Sequence, residues 1–111
     1  MVARQKADVP QGTLDLLILK MLSLGPMHGL GVSERLKQVT QGTFQVNPGS
    51  FFPVLHRLEE DGWILGEWGQ SENNRRAKYY RLTGAGKRKL QREEKDWRRM
   101  VSTIATVLET S

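Results

Sequence analysis

The sequence predicts a mainly helical fold carrying one small β-hairpin. Apolar residues recur at helical spacing over 14–24, 29–40 and 48–62. The period changes after Gly62, where two β-favouring runs, 63–68 and 77–83, flank the polar turn GQSENNRR. From Gly84 nothing breaks the chain up to Glu109, which gives one long final helix. The 111 residues suit a single domain with a modest core.

Residues 1–10 are polar and are expected to fray. Thr13 can cap a first helix in which Leu14, Leu17, Ile18 and Met21 form one face. Leu16 and Leu19 load its other side. Such a helix must be covered on more than one side, by a partner chain or within its own domain. Gly25-Pro26 ends it. A second helix starts near His28 or Gly29 and runs to about Thr40, with Gly29, Val32, Leu36 and Val39 facing inward. Gln41-Gly42 breaks that helix, and Thr43 to Val46 is a short β-favouring piece.

The third helix lies in Asn47 to Gly62, NPGSFFPVLHRLEEDG. Asn47 suits the N-cap, Pro48 the first helical position and Gly62 the position just past the end. Phe51, Leu55 and Leu58 fall on one inner stripe, while Gly49, Pro53, His56 and Arg57 lie opposite. Pro53 has no N–H and crowds the carbonyl of Gly49. Either the first turn is bent, or the regular helix starts nearer Ser50.

Thr83 caps the last helix, where Leu90, Glu94, Trp97, Val101, Ile104 and Leu108 alternate at spacings of four and three. Met100 and Val107 widen this stripe. The stripe could fold back on its own domain or pair with another chain; with fewer than four heptads and Glu94 inside the seam, a dimer contact with a partner's first helix is the favoured expectation. The expected interface is Leu16, Leu19, Leu90, Trp97, Val101, Ile104 and Leu108. The element order is that of a winged helix-turn-helix domain, with the third helix as groove reader and the hairpin as wing. Residues 1–83 are assigned to that unit and 84–111 to a C-terminal dimerisation helix.

Charge placement agrees. The net charge is +5 and the pI about 9.9, which favours an anionic partner, nucleic acid or membrane surface. Segment 71–92 holds eight cations, Arg75, Arg76, Lys78, Arg81, Lys87, Arg88, Lys89 and Arg92, against Glu72 alone. Its net +7 exceeds the +5 of the whole chain. Such a patch suits phosphate contact through counterion release, with Asn74, Arg75, Arg76 and Lys78 on the wing; a solvated basic face is the plainer alternative. On the reading helix, Asn47, Gly49 and Ser50 bring backbone N–H groups, and Pro48 opens a helix whose positive dipole end suits phosphate. Pro53, His56 and Arg57 continue that face, and His56 and Arg57 can reach backbone or bases. Arg57 has an alternative in Asp61. Phe52 either touches a thymine methyl or packs sideways on the second helix. The acidic end, Glu59 to Asp61, is expected to point away from DNA.

Other classes fare poorly. There is no cysteine, and His28 and His56 lie in different elements with no carboxylate cluster at ligand spacing. Hydrolase and nucleotide-binding motifs are lacking, so no enzyme, catalytic residue, metal site or cofactor is expected. The N-terminal stretch has no apolar signal core, and the longest apolar run, Leu14 to Leu24, is too short for a bilayer. A cytoplasmic location without membrane contact is expected.

The chain resembles the PadR family of bacterial transcriptional regulators. The resemblance rests on GTLDLLILKML (12–22), GPMHGLGV (25–32), NPGSFFPVLHRLEEDGWI (47–64) and EWGQSENNRRAKYYRLTGAGK (67–87). It covers nearly the whole chain. Where the family's reading helix has Leu-Tyr-Pro, this chain has Phe51-Phe52-Pro53, so a hydroxyl is missing at Phe52. The resemblance implies a homodimeric, sequence-specific repressor on a pseudo-palindromic double-stranded DNA operator, with a short C-terminal helix arm. In some members small aromatic or drug-like molecules relieve repression. Trp97 and its twofold mate are then a candidate aromatic effector pocket, or plain interface packing. The competing reading is a winged-helix module for protein or RNA without operator specificity.

Overall fold

The computed structural model describes residues 12–70 and 73–111. The expected fraying of residues 1–10, and Ser71 and Glu72 at the hairpin tip, fall outside them. The elements are α1 (Leu14–Ser23), β1 (Met27–His28), α2 (Gly29–Val39), α3 (Pro48–Glu60), β2 (Ile64–Gln70), β3 (Arg76–Leu82) and α4 (Gly84–Leu108). The architecture is the expected one, mainly α with a small antiparallel sheet.

The sheet has one strand more than the expected hairpin. β1 adds to the free edge of β3, with Met27 opposite Tyr80 and His28 opposite Tyr79, so the order is β1-β3-β2. Two residues are too few to show a period of two, which is why β1 escapes a pattern search. Over Thr43–Val46, by contrast, only an isolated bridge at Phe44 forms.

Helix ends follow local chemistry. Asn47 Oδ1 accepts from the Gly49 N–H at 2.7 Å. At the far end of α3, Gly62 takes φ +81°. Its N–H donates to the Glu59 carbonyl and that of Trp63 to the Leu58 carbonyl, both at 3.0 Å, which forms a Schellman close. α3 starts at Pro48 and runs unbroken through Pro53, so the later start near Ser50 is not what happens. α2 is capped by a side chain that sequence reasoning did not single out. His28 Nδ1 accepts from the Gly31 N–H at 3.0 Å, while its ring stands edge-on to Tyr79. His28→Ala removes both interactions and is expected to cost about 1 kcal/mol, the usual value of an N-cap. A urea melt checks it, and His28→Asn, which restores an acceptor, should recover much of the stability.

The core gathers around α1. Ile18, Leu19, Val32, Phe51, Leu55, Leu58 and Ile64 are fully buried, with Tyr80, Leu82 and Leu90 beside them. α1 touches α2, α3, α4 and β3 at once, so its second apolar side is covered within the chain. Two expectations are corrected by this. Leu19 belongs to the chain's own core and offers no surface to a partner, while Leu90, 7% exposed, packs at the edge of that core. Val39, expected to face inward, is 55% exposed, because α2 reaches its last turn beyond the core.

α4 divides in two. Its start is pinned: Thr83 Oγ1 accepts from the Gly86 N–H at 3.0 Å and donates to the Gly62 carbonyl at 2.7 Å. Gly86 and Leu90 are buried. From Lys95 onward every residue of the helix is exposed.

Candidate nucleic-acid interface

All eight residues expected to read DNA, Asn47, Pro48, Gly49, Ser50, Phe52, Pro53, His56 and Arg57, lie exposed on α3 or its cap. The wing stands beside that face. A groove of about 360 Å³ runs between α3, the start of α2 and the sheet. Phe52 and His56 line it from α3, His28 and Leu30 from the region of α2, and Trp68, Arg76, Lys78 and Tyr80 from the sheet. Reading helix and wing thus share one concave surface.

Phe52 is 36% exposed, and its ring meets Phe51 edge-on at 5.6 Å. A Cβ built on Gly29 would come 2.9 Å from that ring. The ring is therefore seated on α2, which is the lateral packing considered above. Gly29 leaves the space for it.

The cations fall into two groups. Lys78 Nζ is 2.8 Å from Glu59 Oε1, Arg81 pairs with Glu67 at 3.4 Å, and Lys89 pairs with Glu93 at 2.6 Å. Lys78 is thus paired, not a free cation, in the DNA-free structure. The hydrogen bond to Glu59 raises its pKa above the ordinary lysine value, with partial desolvation opposing. Glu59 does not point away into solvent but against the wing. Among the described residues, Arg75, Arg76, Lys87, Arg88 and Arg92 enter no ion pair. Arg76 is held differently: its guanidinium lies 4.8 Å from the Trp68 ring centre. Trp68 sits opposite Lys78, so Arg76 is its diagonal neighbour on the sheet. Sequence reasoning missed Trp68 in this role; a hairpin register counted back from the turn would have found it. Arg57 pairs not with Asp61 but with Asp15 of α1, at 2.6 Å. Its side chain is 54% exposed, and exposed pairs of this kind are weak, so the guanidinium is available to exchange partners.

A second groove, of about 570 Å³, lies between α1 and α4. Leu16, Leu90, Trp97 and Val101 line it, with Lys20, Glu94 and Arg98 at its margins. Arg98 donates to Glu94 at 2.8 Å and holds that carboxyl below its ordinary pKa. Trp97 is 41% exposed here. Ile104 and Leu108 continue the same stripe past the groove, in the open. No described helix is long and apolar enough to cross a membrane.

Comparison with known proteins gives a consistent result. The Transcriptional regulator PadR-like family matches residues 18–92, from α1 into α4. The transcriptional regulator Rv3488 of Mycobacterium tuberculosis is 31% identical over 80 residues, which cover 72% of this chain and 71% of that protein. Among solved structures, a PadR-like transcriptional regulator from Bacillus cereus superposes with a TM-score of 0.79 at 26% identity, covering 91% of this chain and 96% of its own. A PadR family regulator from Eggerthella lenta gives 0.77 at 29% identity, covering 91% and 86%. The matched residues contain the whole reading helix and the whole wing, and the chain belongs to the PadR-like family of transcriptional regulators, DNA-binding proteins rather than enzymes.

Proposed function

We propose that the chain is a homodimeric repressor of a pseudo-palindromic operator. The observation that carries the reading is the shared face: Phe52 and His56 of α3 and Arg76 of the wing line one groove, with Arg75 exposed next to Arg76 in the chain. In a twofold dimer the two α3 helices would enter successive major grooves about one DNA turn apart. Residues 1–83 act as the DNA-binding unit and 84–111 as the dimerisation helix, with the first turns of α4 serving both. The dimer is supported by the bare apolar stripe of α4 beyond Lys95. Its Trp97 groove is the place for a small aromatic effector, and the cytoplasm is the compartment that suits a regulator of this kind.

Selection from random duplex DNA tests the reading. Recovery of a dyad-symmetric sequence is the expected result. Absence of enrichment, together with retention of an RNA or protein partner, would favour the interaction-module reading. On the recovered operator, Arg75→Ala with Arg76→Ala should weaken specific and random duplexes alike. The log–log salt slope should flatten by about 0.9 for each phosphate no longer neutralised. A mobility assay across a salt series reads both.

A further inference from the structure

α3 ends in three acids, Glu59, Glu60 and Asp61, beside a surface that meets DNA. An acid there lowers affinity unless it has other work. Glu59 is engaged on both oxygens. Oε1 accepts from Lys78 Nζ of β3 at 2.8 Å, and Oε2 accepts from the Gly66 N–H of β2 at 3.2 Å. Both side chains of the ion pair are only 24% exposed. β2 is an outer strand, so the Gly66 N–H is an edge donor that no neighbouring strand takes. A side chain at this position would displace the pair. A Cβ on Gly66 would collide with Lys78 Cε and lie 2.7 Å from Glu59 Oε2. Lys78 is held from a further side, 5.5 Å from the Tyr80 ring centre. One carboxylate therefore ties the last turn of the reading helix to both strands of the wing.

We infer that Glu59 is a positioning residue for DNA recognition: by gripping Gly66 and Lys78 it fixes the wing against the reading helix and withdraws Lys78 from the phosphates. This rests on the DNA-binding reading above. Sequence preference needs α3 and the wing to seat together in one register. A wing free to swing still grips phosphates, yet no longer forces α3 into a single register. The tie lowers raw affinity and raises selectivity.

Glu59→Gln keeps the shape and an acceptor for Gly66 while releasing the Lys78 charge. Binding to random duplex should strengthen, and its salt slope should steepen by about 0.9 per lysine released. Preference for the selected operator over random duplex should fall about tenfold, the size of one good base contact. Lys78→Gln breaks the same tie without freeing a cation, so preference should fall equally with the slope unchanged. A Lys78→Gln variant that flattens the slope and keeps its preference would make Lys78 an ordinary phosphate ligand and overturn the proposal. Unchanged preference in both variants would overturn it too. Hydrogen exchange on the DNA-free protein reads the tie by itself. Glu59→Ala should abolish protection of the Gly66 amide while the β2–β3 ladder stays protected, and unaltered Gly66 protection would show that no tie exists. A native protein that prefers no duplex at all would instead remove the operator reading, and with it the role of Glu59 in DNA recognition, while exchange still reports whether the tie is present.

Discussion

Ile104→Glu is expected to turn the proposed dimer into a monomer and to cut affinity for the proposed operator by roughly a hundredfold to ten-thousandfold, the gain that joining two sites provides. The reason lies in the far half of α4. From Lys95 to Leu108 every residue stays exposed, and Trp97, Met100, Val101, Ile104, Val107 and Leu108 all present apolar surface. A helical stretch of this length is marginal alone in water, since isolated helices need about 12–15 residues even with favourable sequences. Covering the stripe with the same stripe of a second copy removes that surface from water and supports the helix. Ile104 lies mid-stripe, half exposed, where a carboxylate would meet its twofold mate in an apolar seam. Light scattering gives the mass and a mobility assay the affinity. A dimer that persists would place the interface elsewhere.

Gly86→Ala is expected to cost about 3 kcal/mol, the upper end for overpacking a close-packed site. The first turn of α4 lies directly on the backbone at Trp63. A Cβ on Gly86 would collide with the Trp63 carbonyl oxygen and sit 3.0 Å from its carbon and 3.2 Å from Leu82 Cδ2. That carbonyl is not free to move. It accepts from the Thr83 N–H at 3.2 Å, and the same residue's N–H closes α3 on Leu58. A flexible side chain would yield, whereas two hydrogen-bonded turns do not. Gly84→Ala is the matched control: its Cβ would meet only Arg88 Nη1, at 3.6 Å, so the reduced freedom of the unfolded chain should leave stability equal or slightly raised. Urea unfolding of the pair reads the difference, and a cost under about 1 kcal/mol at Gly86 would mean that the junction slides.

What could be read in the sequence was what neighbours in the chain decide. Asn47, Gly62 and Thr83 mark helix ends because caps act over three or four residues, and all three do so here. The stripe Phe51, Leu55 and Leu58 is buried as its spacing requires. What could not be read was set by pairs far apart in sequence. The count of charges over 71–92 saw only Glu72, while the fold brings in Glu59 and Glu67 to pair with Lys78 and Arg81. Arg57 has an acid at i+4 but takes Asp15 from α1, because α1 lies alongside α3. Leu19 looked surplus to one face of a helix, yet a helix surrounded by four elements has no idle face.

The strand order carries one more consequence. In a sheet ordered β1-β3-β2, the open sides are a two-residue strand and β2. β2 exposes Leu65 and Trp68, and an apolar outer strand is a template on which other chains can add strands and aggregate. Both hazards are blunted here. β1 is too short to template anything, and the outward N–H at Gly66 is already occupied by a carboxylate. The guanidinium of Arg76 lies over Trp68. The wing that must stay open to DNA is thus guarded against sticking to other copies of itself.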